Sequence, residues 1–102
     1  MINIQEIRQF FIDGKIELSS HAFKRAIERK IYFFEIEEAG SNAIIIEEYP
    51  EDKYSPSALL LGFSNGNKVL HLQVTTNNLE YLKIITVYEP NEDKFVDLSI
   101  RR

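Results

Sequence analysis

Cysteine is absent from the 102-residue chain. That excludes disulfide staples, thiolate nucleophiles and cysteine-ligated zinc, and leaves nothing to argue for an oxidising compartment. Histidine occurs only twice, at His21 and His71. Glycine and proline are scarce, at 4 and 3 residues, while 44% of the chain is hydrophobic and 12% aromatic. Such a balance belongs to a packed globular domain, and the length fits a single domain that folds without metal or disulfide help. No apolar run approaches the roughly 18 to 20 residues that a membrane-crossing helix needs. The opening Met-Ile-Asn-Ile-Gln-Glu lacks a basic head followed by an apolar core, so no signal peptide is expected and the cytoplasm is the expected location. Zinc-ligand spacings, a phosphate-cradling glycine loop and a nucleophile elbow are also missing, and no metal or other cofactor is expected.

Positive charge is in deficit. The formal net charge of −4 counts against a domain that grips free nucleic acid by its phosphates, since such domains are usually basic. Much of the acidity is local, however, in Glu35, Glu37, Glu38, Glu47, Glu48, Glu51 and Asp52, which leaves room for a basic face elsewhere.

What is present divides into a helical half and a β half. Ile4, Ile7 and Phe11 recur at helical spacing between Asn3 and Asp13, with Gly14 suited to the left-handed residue past the helix end. Lys15 to Leu18 reads as a short β-compatible link. Ser19 or Ser20 then offers an N-cap hydroxyl to a second helix. By the 100° helical step, Ala22, Phe23, Ala26 and Ile27 form its apolar side, and His21, Lys24, Arg25 and Glu28 fall opposite. Phe33 to Ala39 is a third helix, ended by Gly40 to Asn42. From there the period changes: Ala43 to Tyr49, Ala58 to Ser64, Lys68 to Thr75 and Tyr81 to Tyr88 read as four strands. Asn65-Gly66-Asn67 and Thr76 to Glu80 are reversals that make the last three an antiparallel meander. Pro50, Pro56 and Pro90 fall in connections. The expected class is α+β, with N-terminal helices packed on a four-stranded, mainly antiparallel sheet. For the tail from Asn91 to Arg102, Phe95, Val96 and Leu98 are candidates to dock.

Chemistry-bearing residues gather in two places. On the second helix, His21 can give or take a proton near neutral pH, and the Arg25 fork, four residues on, suits a phosphate. The same residues also fit a solvated helix face laced by Arg25–Glu28 and Lys24–Glu28 pairs of about 0.2 to 0.5 kcal/mol each. In Val69 to Thr75, alternation sets His71, Gln73 and Thr75 against Leu70, Leu72 and Val74, which suits either a catalytic or a structural imidazole. In the last strand, Leu82, Ile84, Thr86 and Tyr88 share one face, with Lys83, Ile85 and Val87 on the other. Tyr88 can stack on a base or donate a proton, or simply be a half-buried strand aromatic.

The order Ser19-Ser20-His21-Ala22-Phe23-Lys24-Arg25-Ala26-Ile27-Glu28-Arg29-Lys30-Ile31, then Ile44 to Pro50, Ala58 to Gly62, Val69-Leu70-His71 and Ile85 to Pro90 resembles the bacterial domain of unknown function numbered 4258, over roughly residues 16 to 90. That family looks like a distant branch of the RelE-like toxins, with some members similar to the MqsR type, whose antitoxin carries a zinc finger. The resemblance implies a RelE-like toxin fold and a metal-independent mRNA endoribonuclease of a type II toxin–antitoxin system. It would act on messenger RNA, commonly on the ribosome, with a cognate antitoxin protein as its partner. Carried onto this chain, it assigns proton transfer to His21 or His71, phosphate stabilisation to Arg25 and Arg29, stacking or proton donation to Tyr88, and substrate contacts to Gln73 and Lys83. One solvent-reachable pocket should then join His21 and Arg25 to Tyr88. The alternative is a non-catalytic protein-binding or regulatory module on the same fold.

Overall fold

The computed structural model describes residues 3–53, 55–66, 68–75 and 80–90. The first helix, α1 (Ile4–Ile12), opens on a reciprocal cap: the Asn3 side chain accepts from the Glu6 N–H at 2.9 Å, and the Glu6 carboxylate accepts from the Asn3 N–H at 3.3 Å. Gly14 turns the chain at φ +70°, and Lys15 leads into β1 (Ile16–Leu18). Then follow α2 (Ser20–Arg29), α3 (Phe33–Ser41), β2 (Ile44–Tyr49), β3 (Ser57–Phe63), β4 (Val69–Thr75) and β5 (Leu82–Tyr88). The class is α+β, as expected.

The sheet has five strands rather than four, in the order β1-β5-β4-β3-β2. The link read as merely β-compatible is itself a strand, running parallel to β5 with Ile16 opposite Leu82 and Leu18 opposite Ile84. Three residues are too few to show a period of two, and the partner that makes them a strand lies at the far end of the sequence. The remaining neighbours, β2–β3, β3–β4 and β4–β5, are antiparallel, so the meander holds. The Thr76 to Glu80 reversal, Asn67 of the hairpin signal and the tail beyond Pro90 lie wholly or partly outside the described residues.

All three helices contribute to one core against one face of the sheet. Ile7 and Phe11 of α1, Ala22 and Ala26 of α2, and Ile36 and Ala39 of α3 meet Ala58, Leu60, Leu70, Leu72, Val74, Leu82, Ile84 and Val87. The approach of α3 to β3 is so close that a Cβ on Gly62 would lie 2.0 Å from the Ala39 carbonyl oxygen. Only glycine fits there.

Two expectations about faces are corrected. The apolar side of α2 is only half buried: Ala22 and Ala26 press on the sheet, while Phe23 and Ile27 are 58% and 63% exposed. The two alanines let the helix axis approach β5 closely, and the larger residues are turned onto a flank. In β5 a register shift makes Thr86 oppose Gln73 while Ile84 opposes Val74, skipping Ile85. The extra residue reverses the alternation beyond it. Val87 therefore joins Leu82 and Ile84 in the core, and Thr86 and Tyr88 turn to the face away from the helices. Lys83 shares that far face with Tyr88, contrary to strict alternation.

Candidate functional site

On the far face, β4 and β5 bring together the two strand residues singled out by sequence. His71 is opposite Tyr88 in the register, its Nδ1 lies 3.3 Å from the Tyr88 hydroxyl, and the rings meet edge to face with centroids 5.3 Å apart. His71 is fully buried and Tyr88 half-buried. An imidazole so enclosed does not touch a solvent-borne substrate, but it does fix the phenol beside it.

Gln73 extends this polar strip. Its Nε2 donates to Ser57 Oγ at 3.3 Å, and the buried Ser57 hydroxyl donates to Asp52 Oδ2 at 2.8 Å. Tyr49 donates to the Glu47 carboxylate nearby. An open cleft of about 490 Å³ lies at this end, lined by Glu48, Tyr49, Pro50, Glu51, Asp52 and Gln73. The carboxylates of Glu48, Glu51 and Asp52 make this cleft electronegative, a poor place for an anion. The Ser57–Asp52 contact escaped sequence reasoning because a turn brings the two together and the expected strand begins only at Ala58.

The α2 residues stand elsewhere. His21, Lys24, Arg25, Glu28 and Arg29 are exposed. Arg25 reaches Glu28 at 3.7 Å, a surface pair with both side chains about half in solvent that contributes little and yields readily to an anionic ligand. Ser19 fixes the N-terminus of α2: its Oγ accepts from the Ala22 N–H at 3.0 Å and donates to the Ile85 carbonyl at 2.8 Å, and its N–H donates to the Ile84 carbonyl at 3.0 Å. At the other end of α2, the Lys30 carbonyl accepts from Lys68 Nζ at 3.2 Å, just before β4 begins. The helix thus lies along the second half of β5, on the core face.

The expected single pocket is therefore divided. Among the described residues neither His21 nor Arg25 hydrogen-bonds to His71 or Tyr88, and the sheet lies between the helix and the His71–Tyr88 pair. Both groups nevertheless border one stretch of β5. Because β1 ends opposite Ile84, no described strand flanks Ile85 to Tyr88 on that side. Lys83, exposed, stands opposite Glu17 on β1 at the near end of this stretch.

A further pair was missed by sequence. Glu35 is buried and meets Lys68 Nζ at 3.0 Å while accepting from the Tyr32 N–H at 2.9 Å. Burial raises its carboxyl, but the Tyr32 N–H and the Lys68 hydrogen bond and charge outweigh it and leave the group below its ordinary value. Its place in an acidic run gave no sign of burial. Among the described residues no group of three or more His, Asp or Glu side chains could hold a metal ion, and no helix is long and apolar enough to cross a membrane.

No curated protein and no solved structure matches the chain. The profile of one family, described as a domain of unknown function, DUF4258, matches residues 18–89. That span begins at the last residue of β1, takes in the Ser19 anchor, α2 and the His71–Tyr88 pair, and stops just past β5. The chain belongs to the DUF4258 family.

Proposed function

We propose that this protein is the toxin of a type II toxin–antitoxin pair, a metal-independent endoribonuclease that cuts messenger RNA, whether free or on the ribosome, until a cognate antitoxin binds it. The observation that carries the reading is the double anchor of Ser19 on the Ile84 and Ile85 carbonyls. It holds α2, with exposed His21 and Arg25 on one flank, beside the strand stretch that ends at Tyr88, with no described strand in the way. RNA crossing this edge meets His21 and Arg25 on one side and Tyr88 on the other.

The chemistry needs a base for the 2′-hydroxyl proton, a cation for the crowded phosphate and a proton for the departing 5′-oxygen. His21 serves the first. Arg25, released from Glu28, serves the second, with Arg29 and Lys83 along the RNA path. Tyr88 stacks on a base or supplies the proton, held in place by His71, while Gln73 orients the substrate. In this scheme His71 is a positioning residue, because its ring is enclosed.

The test is induction of the chain alone in a bacterial host. Growth arrest and messenger RNA cleavage are expected, relieved by His21→Ala or Arg25→Ala without a lowered melting temperature. Harmless induction, or variants as toxic as the parent, overturns the proposal. A second reading, a non-catalytic recognition module on the same fold, is favoured by the enclosure of His71; it predicts that no RNA is cut and that the same variants change nothing.

A further inference from the structure

The exposed flank of α2 that carries Phe23 and Ile27 faces the start of α3, and between them lies a groove of about 360 Å³ lined almost wholly by apolar side chains. Tyr32 and Phe33 form its opposite wall, and Ala26, Ile31 and Ile36 its floor. Four of these residues, Phe23, Ile27, Tyr32 and Phe33, are each about half or more exposed. A contiguous apolar patch of this kind on a small domain marks a place where something binds.

The charges at the groove narrow the choice of occupant. Its one charged lining residue is Lys30, and no carboxylate lines it. Lys30 lines the groove, and Lys24, three residues before Ile27, lies within reach of its outer rim by helical spacing. Among the described residues neither lysine is in an ion pair. On a chain of net charge −4, a trough whose only lining charge is an unpaired cation calls for carboxylates on the occupant. Nucleic acid supplies anions but not the apolar surface. A second copy docked groove to groove would set these lysines against their own counterparts with no carboxylate between them, which is repulsive. Phe23 and Ile27 stand one helical turn apart, the spacing that takes the side chains of an opposing helix.

We propose that the groove between α2 and α3 is the docking site for an amphipathic helix of a partner protein, its apolar side buried against Phe23, Ile27, Tyr32 and Phe33 and its flanking carboxylates on Lys24 and Lys30. This surface lies on the flank of α2 opposite to His21 and Arg25, so the proposal does not depend on RNA cleavage. A partner bound here leaves those two residues uncovered by direct contact.

The test uses the full chain and fluorescent helical peptides with leucine at i, i+3, i+4 and i+7, differing only in whether the flanking positions carry Glu, Gln or Lys. The Glu peptide should bind at least about tenfold more tightly than the Lys peptide. Ile27→Asp, at an exposed position, should weaken Glu-peptide binding by at least about tenfold. Lys30→Glu should invert the order of the Glu and Lys peptides, an arm that decides the matter even where Ile27→Asp perturbs folding. Absence of binding by every peptide overturns the proposal, as do indifference to flanking charge, an unchanged affinity in the Ile27→Asp variant, and self-association of the parent chain that Ile27→Asp abolishes. Toxicity assays on the same variants read the ribonuclease proposal separately.

Discussion

Tyr88 and His71 face each other across β5 and β4, the phenol oxygen 3.3 Å from the imidazole Nδ1 and the rings inclined at 63°. One partner is sealed and the other half open, so what happens to the phenol in solvent is set by a ring that solvent does not reach.

Removing the phenol oxygen should therefore be felt in stability. Tyr88→Phe is expected to cost about 1 kcal/mol, the typical worth of one such hydrogen bond, and His71→Ala about 2–4 kcal/mol through the lost packing of a fully buried ring as well. The double variant should show a coupling of about 0.5 kcal/mol or more. Urea denaturation of the four proteins measures it. Strict additivity would mean that the two side chains act independently.

Ser19 caps α2 and ties it to the sheet with the same oxygen. Ser19→Ala should cost about 1–2 kcal/mol, at the upper end for a lost N-cap, because the Ile85 carbonyl loses its side-chain donor as well. Ser19→Thr keeps the hydroxyl and should stay close to the parent. Thermal melts of both variants test this.

Gly62→Ala places a methyl group 2.0 Å from the Ala39 carbonyl oxygen. Backbone does not yield as a flexible side chain does, so α3 must shift off β3, at about 1–3 kcal/mol or more. A melting temperature unchanged from the parent would contradict the close approach.

Glu35 confers a pH dependence with a definite sign. Its carboxyl is lower in the folded chain than its ordinary value of 4.5, so the unfolded state binds its proton first as the solution is acidified. The stability this supplies is complete above about pH 4.5 and is lost as pH falls through the lower folded value. Glu35→Gln should flatten the loss between pH 5 and more acid solution while lowering stability at neutral pH, where Lys68 loses its counter-charge. A parallel fall in both proteins would assign the acid sensitivity to other groups.

The long elements were legible from the residues because their periods are long enough to read: the apolar spacing of α1, the serine cap of α2, and the alternation of β4, whose Leu70, Leu72 and Val74 all reach the core. Three readings went astray for separate physical reasons. Ile16 to Leu18 has too few residues for a period and becomes a strand only through β5. Beyond Ile85 a single skipped residue exchanges the faces of Thr86, Val87 and Tyr88, and no local pattern announces it. Phe23 and Ile27 obey the helical period yet remain outside, because the footprint of α2 on the sheet is only as wide as its two alanines. Of the candidate site, the strand pair was visible as alternation. The separation of His21 and Arg25 from that pair was not, since it depends on which side of the sheet each element occupies.

The pairing of β1 with β5 also fixes when the molecule can be finished. A growing chain that has emerged as far as β4 holds Ile16 to Leu18 with no strand to receive it and Ser19 with no carbonyl to grasp. The pairing joins segments far apart in the chain, so it carries a loop-closure cost that local contacts do not. Until β5 arrives, β1 and α2 lack the strand that holds them, and these two N-terminal elements are anchored only as the C-terminal half is completed.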